Sequence, residues 1–578
     1  MASEAGHGMT LRFAPAAVVR TERPGGGFVL RSPMAEPARA RCVGDWLARW
    51  ATDAPDRVFL AERDAAGAWQ HLLYKEALAG VRQRTQALLD LGLDATRPLA
   101  ILSGNSIEHA LLALAAMHAG VPVASISPAY SLMSKDHGKL RALIADLAPG
   151  AVWAGGAAFA PALRAIGFDN ARLAPTLATA DVDRAFAAVT EDTVAKILYT
   201  SGSTGAPKGV VNTHRMLCAN QAAIAAGWPF VGDRPPVIVD WLPWSHTFGA
   251  NHNFHLVLAN GGTLYIDAGK PAPGAFETTL ANLRDVASTA YFNVPRGFDL
   301  LAGALETDVA LASTFFRDLD VMFYAAAALS PATWDRLAAC ARRAGSRVAM
   351  VSAWGSTETS PLVTQVHFAI DRAGVIGLPA AGLELAFVPT GDKLEMRVRG
   401  ASVTPGYWRA GGGVEPAARD ELGFYPMGDA GVLADDAAPE RGVVFDGRVA
   451  ENFKLASGTW VHVGALRIAL IAACSPVVSD AVIAGHDRDD VGALIFPAPG
   501  AVVDAAYRAR LRDALAALAG ARAGTSARVA RAVICDEPPS IDAGEITDKG
   551  YLNQRAVLQR RAALVDRLYA GGDDVITP

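Results

Sequence analysis

From Val43 to about residue 385, helix-length patterns alternate with short apolar runs, and this alternation constrains the fold more than any other feature of the chain. Residues 46–50 open one helix and 77–91 read as another, while 98–102 read as a buried strand. Residues 107–118 are helical and 121–126 strand-like; further strands fall at 195–199, 237–241, 262–266, 289–294, 321–325 and 348–353. Strands that are apolar throughout and separated by helices belong in largely parallel sheets covered on both faces, so the predicted class is an α/β sandwich.

The texture changes after about residue 385. Segments 394–399, 443–445 and 459–463 read as short antiparallel strands between Gly-rich turns. A helix at 466–473, strands at 477–485 and 492–496, and a helix with Leu511, Leu515 and Leu518 in register follow. These place a boundary near residues 447–450, giving an N-terminal domain over 1–447 and a smaller α+β domain over 448–578. Residues 1 to about 40, rich in Gly, Pro and Arg, are expected to form an irregular arm.

Composition narrows the class of function. A chain of 578 residues exceeds one ordinary domain. A net charge of −5 gives no electrostatic reason to expect nucleic acid or an anionic membrane as partner. Five scattered cysteines (Cys42, Cys218, Cys340, Cys474 and Cys535) form no CxxC pair, which fits reduced thiols in the cytoplasm. The start lacks the basic and apolar regions of a secretion signal, and the longest apolar run, 110–126, contains His118 and Gly120 and reads as a buried helix and strand. Only nine of the 53 basic residues are lysine, so a lysine inside a motif is a mild hint that a compact ammonium is required there.

The strongest motif is Tyr199-Thr200-Ser201-Gly202-Ser203-Thr204-Gly205-Ala206-Pro207-Lys208-Gly209, expected between the strand at 195–199 and a helix from about His214. Glycines let backbone N–H groups approach phosphate oxygens, hydroxyls add donors, and lysine adds a mobile charge. It is not a Walker A loop, which ends in Gly-Lys followed by Ser or Thr. The order of residues resembles the phosphate loop of the adenylate-forming superfamily, which includes acyl-CoA synthetases, luciferases and peptide-synthetase adenylation domains.

Other segments carry the same resemblance. Trp354-Gly355-Ser356-Thr357-Glu358 is similar to the superfamily's aromatic-Gly-x-Thr-Glu motif, which implies Trp354 against adenine, Thr357 on the α-phosphate and Glu358 holding Mg²⁺. Trp354 stands where tyrosine is usual. Gly428-Asp429 follows Gly406-Tyr407-Trp408 and Gly423-Phe424-Tyr425-Pro426, which implies Asp429 on the ribose diol; Arg448 in Phe445-Asp446-Gly447-Arg448 is implied to reach ribose or phosphate. Residues 323–330, with Ala326, occupy the place of a Gly-Gly-Ala loop near adenine. His246 in Trp244-Ser245-His246-Thr247-Phe248-Gly249 is either a gate of the acyl pocket or a core histidine. Many members end in Gly-Lys-Ile; here Gly544-Glu545-Ile546-Thr547-Asp548-Lys549 puts Glu at the lysine position, and its resemblance to the long-chain branch, where a Thr-x-Lys ending supplies the lysine, implies Lys549 as the adenylating lysine. Lys454 has a solvated and a functional reading of equal weight.

The resemblance implies an αβαβα sandwich with a small β subdomain, a mobile C-terminal domain hinged near Ala450, and ATP, Mg²⁺ and coenzyme A as cofactor and co-substrates. Segments 243–253, 453–461 and 541–558 look most like bacterial feruloyl-CoA synthases, which implies a hydroxycinnamic acid substrate. Ligation of another aromatic or fatty acid, transfer to a carrier-protein thiol, and a non-catalytic nucleotide-binding protein are the alternatives. The last would show loss of Lys208, Thr357, Glu358 or Asp429, and all four are present. A homodimer is left open.

Overall fold

Cap chemistry sets the first repeat of the α/β pattern. Ser106 Oγ accepts the His109 N–H (3.1 Å) and Gly120, at φ 71°, ends the helix Ile107–Ala119. The strands on either side, Leu99–Leu102 and Val123–Ile126, then pair in parallel. The computed structural model describes residues 11–201, 207–272, 274–521, 524–547 and 552–578, with Ser201 described through its backbone.

Among the described residues the strand order of one sheet is Gly413–Pro416, Gly406–Arg409, Pro207–Thr213, Val194–Ser201, Val123–Ile126, Leu99–Leu102 and Ala151–Ala154. A second, eleven-stranded sheet begins with the parallel trio Ala290–Asn293, Val321–Tyr324 and Ala349–Gly355. It continues through antiparallel strands that include Leu383–Thr390, Lys393–Gly400, Tyr425–Leu433 and Val443–Arg448. Parallel pairing is thus concentrated where helices alternate with strands, and it gives way to hairpins where the Gly-rich texture begins. The class is α/β, as the alternation implies, with a smaller α+β unit after it.

That smaller unit has its own apolar core. Leu466 and Leu470 of the helix Val463–Ala473 and Leu511, Leu515 and Leu518 of the helix Ala505–Gly520 are buried in one cluster. They pack with Ile483, Ile495 and Ile534 of the sheet formed by Val478–Ala484, Val491–Pro497 and Val529–Ile534. Ala450 lies between the last strand of the large sheet, Val443–Arg448, and the short strand Phe453–Lys454.

Two expectations are corrected. Residues 19–31 are not an irregular arm: Val19–Glu22 and Phe28–Arg31 form a hairpin that extends the eleven-stranded sheet against Leu383–Thr390. Three consecutive glycines, Gly25, Gly26 and Gly27, take positive φ at its tip. Its inward residues are buried, and Phe28 stacks on Phe387 with ring centroids 4.6 Å apart. The second correction concerns the segment after the Gly-rich motif. Pro207–Thr213 is a strand antiparallel to Val194–Ser201, with Thr200 opposite Lys208 and Ser201 opposite Pro207. The motif therefore joins two strands; the helix His214–Gly227 starts where expected, after Thr213, whose hydroxyl caps it.

Candidate active site

Trp354 and Gly355 close the strand Ala349–Gly355, and the chain then turns sharply. A Cβ on Gly355 would stand 1.8 Å from the Pro361 carbonyl oxygen, so only glycine lets the two segments approach this closely. In the turn, Ser356 Oγ accepts the Glu358 N–H (3.2 Å), Thr359 Oγ1 accepts the Ser356 N–H (2.9 Å), and Glu358 O accepts the Thr404 N–H (2.7 Å). Thr357 is buried and Glu358 half-buried. The hydroxyl–carboxylate pair named from sequence is therefore held by a braced turn.

Trp354 is 8% exposed, and its indole N–H donates to Asp429 Oδ2 at 2.9 Å. Asp429 lies opposite Arg448 in the strand pairing, with Arg448 Nε 3.6 Å from its other oxygen. Burial raises the Asp429 carboxyl above its ordinary value; Arg448 and the Trp354 hydrogen bond pull it back, while the charges of Glu451 and Glu358 add to the rise. Arg448 is 67% exposed and reaches outward from this carboxylate.

Lys208 Nζ lies 5.2 Å from the ring centroid of Tyr407, whose hydroxyl is 2.9 Å from that of Tyr425. The Glu358 charge bears on both tyrosines, whose hydroxyls burial raises. Lys208, Glu358, Trp354, Asp429 and Arg448 thus gather in one region through Tyr407 and Tyr425. The two tyrosines had served only as landmarks in the sequence; nothing there signals that their hydroxyls meet.

Ala326 is exposed with φ 72°, a left-handed backbone in the place where a Gly-Gly-Ala loop would carry glycine. His246 is buried at the entry to a π-helical turn, Phe248–Asn253; its N–H donates to the Pro243 carbonyl (3.1 Å) and its carbonyl accepts from Ala250 (2.9 Å). Thr247 beside it joins a buried polar chain unseen in the sequence. Asn251 Nδ2 donates to Thr247 Oγ1 (3.2 Å) and Asn212 Oδ1 (2.9 Å), and Ser360 Oγ donates to the same Asn212 oxygen (3.1 Å). Lys196, whose ammonium burial brings down to about 7, enters that chain at Asn251 Oδ1 (3.4 Å) and meets His255 Nε2 at 3.2 Å. The segment bearing His246 is so tied to the turn bearing Thr357.

Thr200 and Ser201 end the described stretch of the Gly-rich motif on one side, and Pro207 resumes it on the other. Gly202, Ser203, Thr204 and Gly205 lie outside the described residues, as does Lys549. Lys454 is exposed, 4.9 Å over the ring of Trp460 in the hairpin of Phe453–Lys454 and Trp460–Val461. Glu545 is fully buried, paired with Arg560 and Arg561.

The AMP-binding enzyme family matches residues 47–408 and the AMP-binding enzyme C-terminal domain matches residues 457–573, and the chain belongs to this family. It is 28% identical to the carboxylic acid reductase of Mycobacterium marinum over 430 residues, 69% of this chain but 35% of that protein. The chain therefore spans about a third of that relative's length. It is 26% identical to the long-chain-fatty-acid–CoA ligase FadD15 of Mycobacterium bovis, covering 78% of this chain and 81% of the relative. The structure of O-succinylbenzoate coenzyme A synthetase (MenE) from Bacillus subtilis in complex with AMP superposes with a TM-score of 0.67 at 17% identity, over 90% of this chain and 98% of that one. At that identity the likeness concerns the fold alone.

Proposed function

We propose that the chain is an AMP-forming acid–thiol ligase that converts a hydroxycinnamic acid of the ferulate type to its acyl-AMP, releasing pyrophosphate, and then passes the acyl group to coenzyme A. The observation that carries this reading is the Trp354–Asp429 hydrogen bond, which joins two motifs far apart in sequence into one surface with Glu358, Lys208 and Arg448 around it. Asp429 offers two acceptors to a vicinal ribose diol, and the Trp354 face suits adenine. Thr357 donates to the α-phosphate, Arg448 reaches ribose or phosphate, and Thr200 through Gly205 cradle the polyphosphate with Lys208. Ala326 lies near adenine, and His246 walls the acyl site.

Among the described residues no group of three or more His, Cys, Asp or Glu side chains gathers to hold a metal. Glu358 supplies a hard oxygen donor, which suits Mg²⁺ that arrives bound to the polyphosphate and takes few protein carboxylates. When bound, Mg²⁺ neutralises developing phosphate charge.

The acid's carboxylate oxygen attacks the α-phosphorus, and the bond to pyrophosphate breaks. Lys549 and Lys208 stabilise the charge that develops there. The domain over residues 448–578 then rotates about a hinge near Ala450, and the CoA sulfur attacks the acyl carbonyl with AMP as leaving group. The hydroxycinnamate assignment rests on the feruloyl-CoA synthase resemblance. The similarity to FadD15 favours a fatty acid as the second reading. Lys549→Ala is expected to cut acid-dependent ATP–pyrophosphate exchange by about a hundredfold while sparing thioester formation from preformed acyl-AMP. Equal loss in both halves would overturn its assignment.

A further inference from the structure

The turn that precedes Lys549 closes on itself and on the large domain at the same time. Within the turn, Glu545 accepts the Ser540 N–H (2.9 Å), and the Ala543 N–H donates to Ser540 Oγ (3.2 Å), so residues 540–545 form a braced ring. Outward, Asp542 Oδ1 accepts from Ser134 Oγ at 2.6 Å and Oδ2 accepts from the Lys135 N–H at 3.1 Å. Lys139 Nζ donates to the Ile541 carbonyl at 2.5 Å, and the Ile541 side chain packs against the cluster that contains Tyr130, Leu140 and Trp408. The Ser134 hydrogen bond, ahead of the Lys135 N–H, holds the Asp542 carboxyl below its ordinary value, so both oxygens are available as acceptors.

These contacts run from one carboxylate to two groups on a loop of the other domain, and the domains otherwise have separate cores. Such a contact is specific in direction yet small enough to be made and broken once per turnover. We propose that Asp542 is a positioning residue: its contact with Ser134 and Lys135 is an interdomain latch that seats the turn at residues 540–545 for acyl-adenylate formation and opens before thioester formation. Asp542 touches no reacting atom; it acts through the placement of the turn. The proposal rests on the two-step ligase reading above.

The test compares wild type, Asp542→Asn, Ser134→Ala and the double variant. Each is assayed for ATP–pyrophosphate exchange with the acid that wild type uses best, and for CoA-thioester formation from the matching synthetic acyl-adenylate. Each single variant is expected to lose about tenfold in exchange and nothing in the thioester half. The double variant should lose less than the product of the two single losses, because both disturb the Ser134–Asp542 hydrogen bond. Hydrogen exchange without substrate should show the Lys135 amide less protected in Asp542→Asn. Equal losses in both halves, multiplicative losses in the double variant, or an unchanged Lys135 amide each overturn the latch. A wild type inactive in exchange with every acid overturns the ligase reading itself.

Discussion

Replacing Glu545 with glutamine removes the charge from a carboxylate that accepts four hydrogen bonds: Ser540 N–H at 2.9 Å, Arg560 Nη1 at 2.8 Å, and Arg561 Nε and Nη2 at 2.7 and 3.0 Å. The glutamine NH₂ cannot accept, so at least one guanidinium N–H loses its partner and two arginines lose their counter-charge. Breaking a buried pair costs about 3–5 kcal/mol, and the retained amide oxygen recovers part of that, so about 3 kcal/mol is expected. At about 1.36 kcal/mol per tenfold, local opening becomes roughly 150 times more frequent. Hydrogen exchange of the Asn553 amide, which donates to the Glu545 carbonyl, and of the Val557 amide one turn later reads this directly. Burial pushes the Glu545 carboxyl up, but the Arg561 hydrogen bond, the Ser540 N–H and the Arg561 and Arg560 charges outweigh it and hold it below the ordinary value. The native state then binds the proton less readily than the unfolded chain. Its stabilisation is complete above about pH 4.3 and is lost as pH falls through the depressed native value, whereas Glu545→Gln shows no such loss. Less than about threefold faster exchange at pH 7, or a difference that does not shrink in acid, would refute the reasoning.

Three further outcomes follow from the same geometry. Glu545→Lys, which creates the Gly-Lys-Ile ending that the superfamily resemblance implies, sets a third cation between Arg560 and Arg561 and should abolish ATP–pyrophosphate exchange; a gain would return the adenylating role to position 545. Trp354→Phe keeps an aromatic face but removes the donor to Asp429, and AMP affinity measured calorimetrically at pH 7.5 should fall about tenfold. Because the Asp429 carboxyl is already raised, AMP binding to its ionised form weakens as pH falls through its native value, and the variant should move that loss to higher pH; an unshifted profile counts against the contact. Ala326→Gly relieves a left-handed alanine and should raise the thermal midpoint, by a stabilisation of about 1 kcal/mol; a lowered midpoint contradicts it.

The repeating part of the fold was legible because its signals are local. Residues 107–118 read as a helix from their own pattern, and Leu511, Leu515 and Leu518 mark a buried face by spacing alone. The hairpin at Val19–Glu22 and Phe28–Arg31 was missed because its strands are four residues long and its composition is that of a loop; burial of Phe28 and Leu30 depends on a strand some 350 residues later. Pro207–Thr213 was missed because a strand opening on Pro-Lys-Gly has no clean alternation until Val210. At the site, motif order nominated Trp354, Asp429, Glu358 and Lys208, which the fold brings together. The loss of a tyrosine hydroxyl at position 354 was legible; that the indole N–H would instead bond Asp429 was not, since it depends on how two distant strands register. Glu545 read only as a departure from a lysine, and its clamp by Arg560 and Arg561 depends on a helix that returns after the turn.

Side-by-side thioester formation tests the central claim most directly, with ferulate, p-coumarate, caffeate, benzoate and a medium-chain fatty acid each supplied with ATP, Mg²⁺ and CoA. The account predicts AMP and CoA thioester in equal amounts, with kcat/KM for the hydroxycinnamates at least about tenfold above the others, the margin that about 1.4 kcal/mol of differential transition-state binding provides. Preference for the fatty acid or benzoate would contradict the substrate assignment, and ATP consumption without AMP or thioester from any acid would contradict the ligase itself.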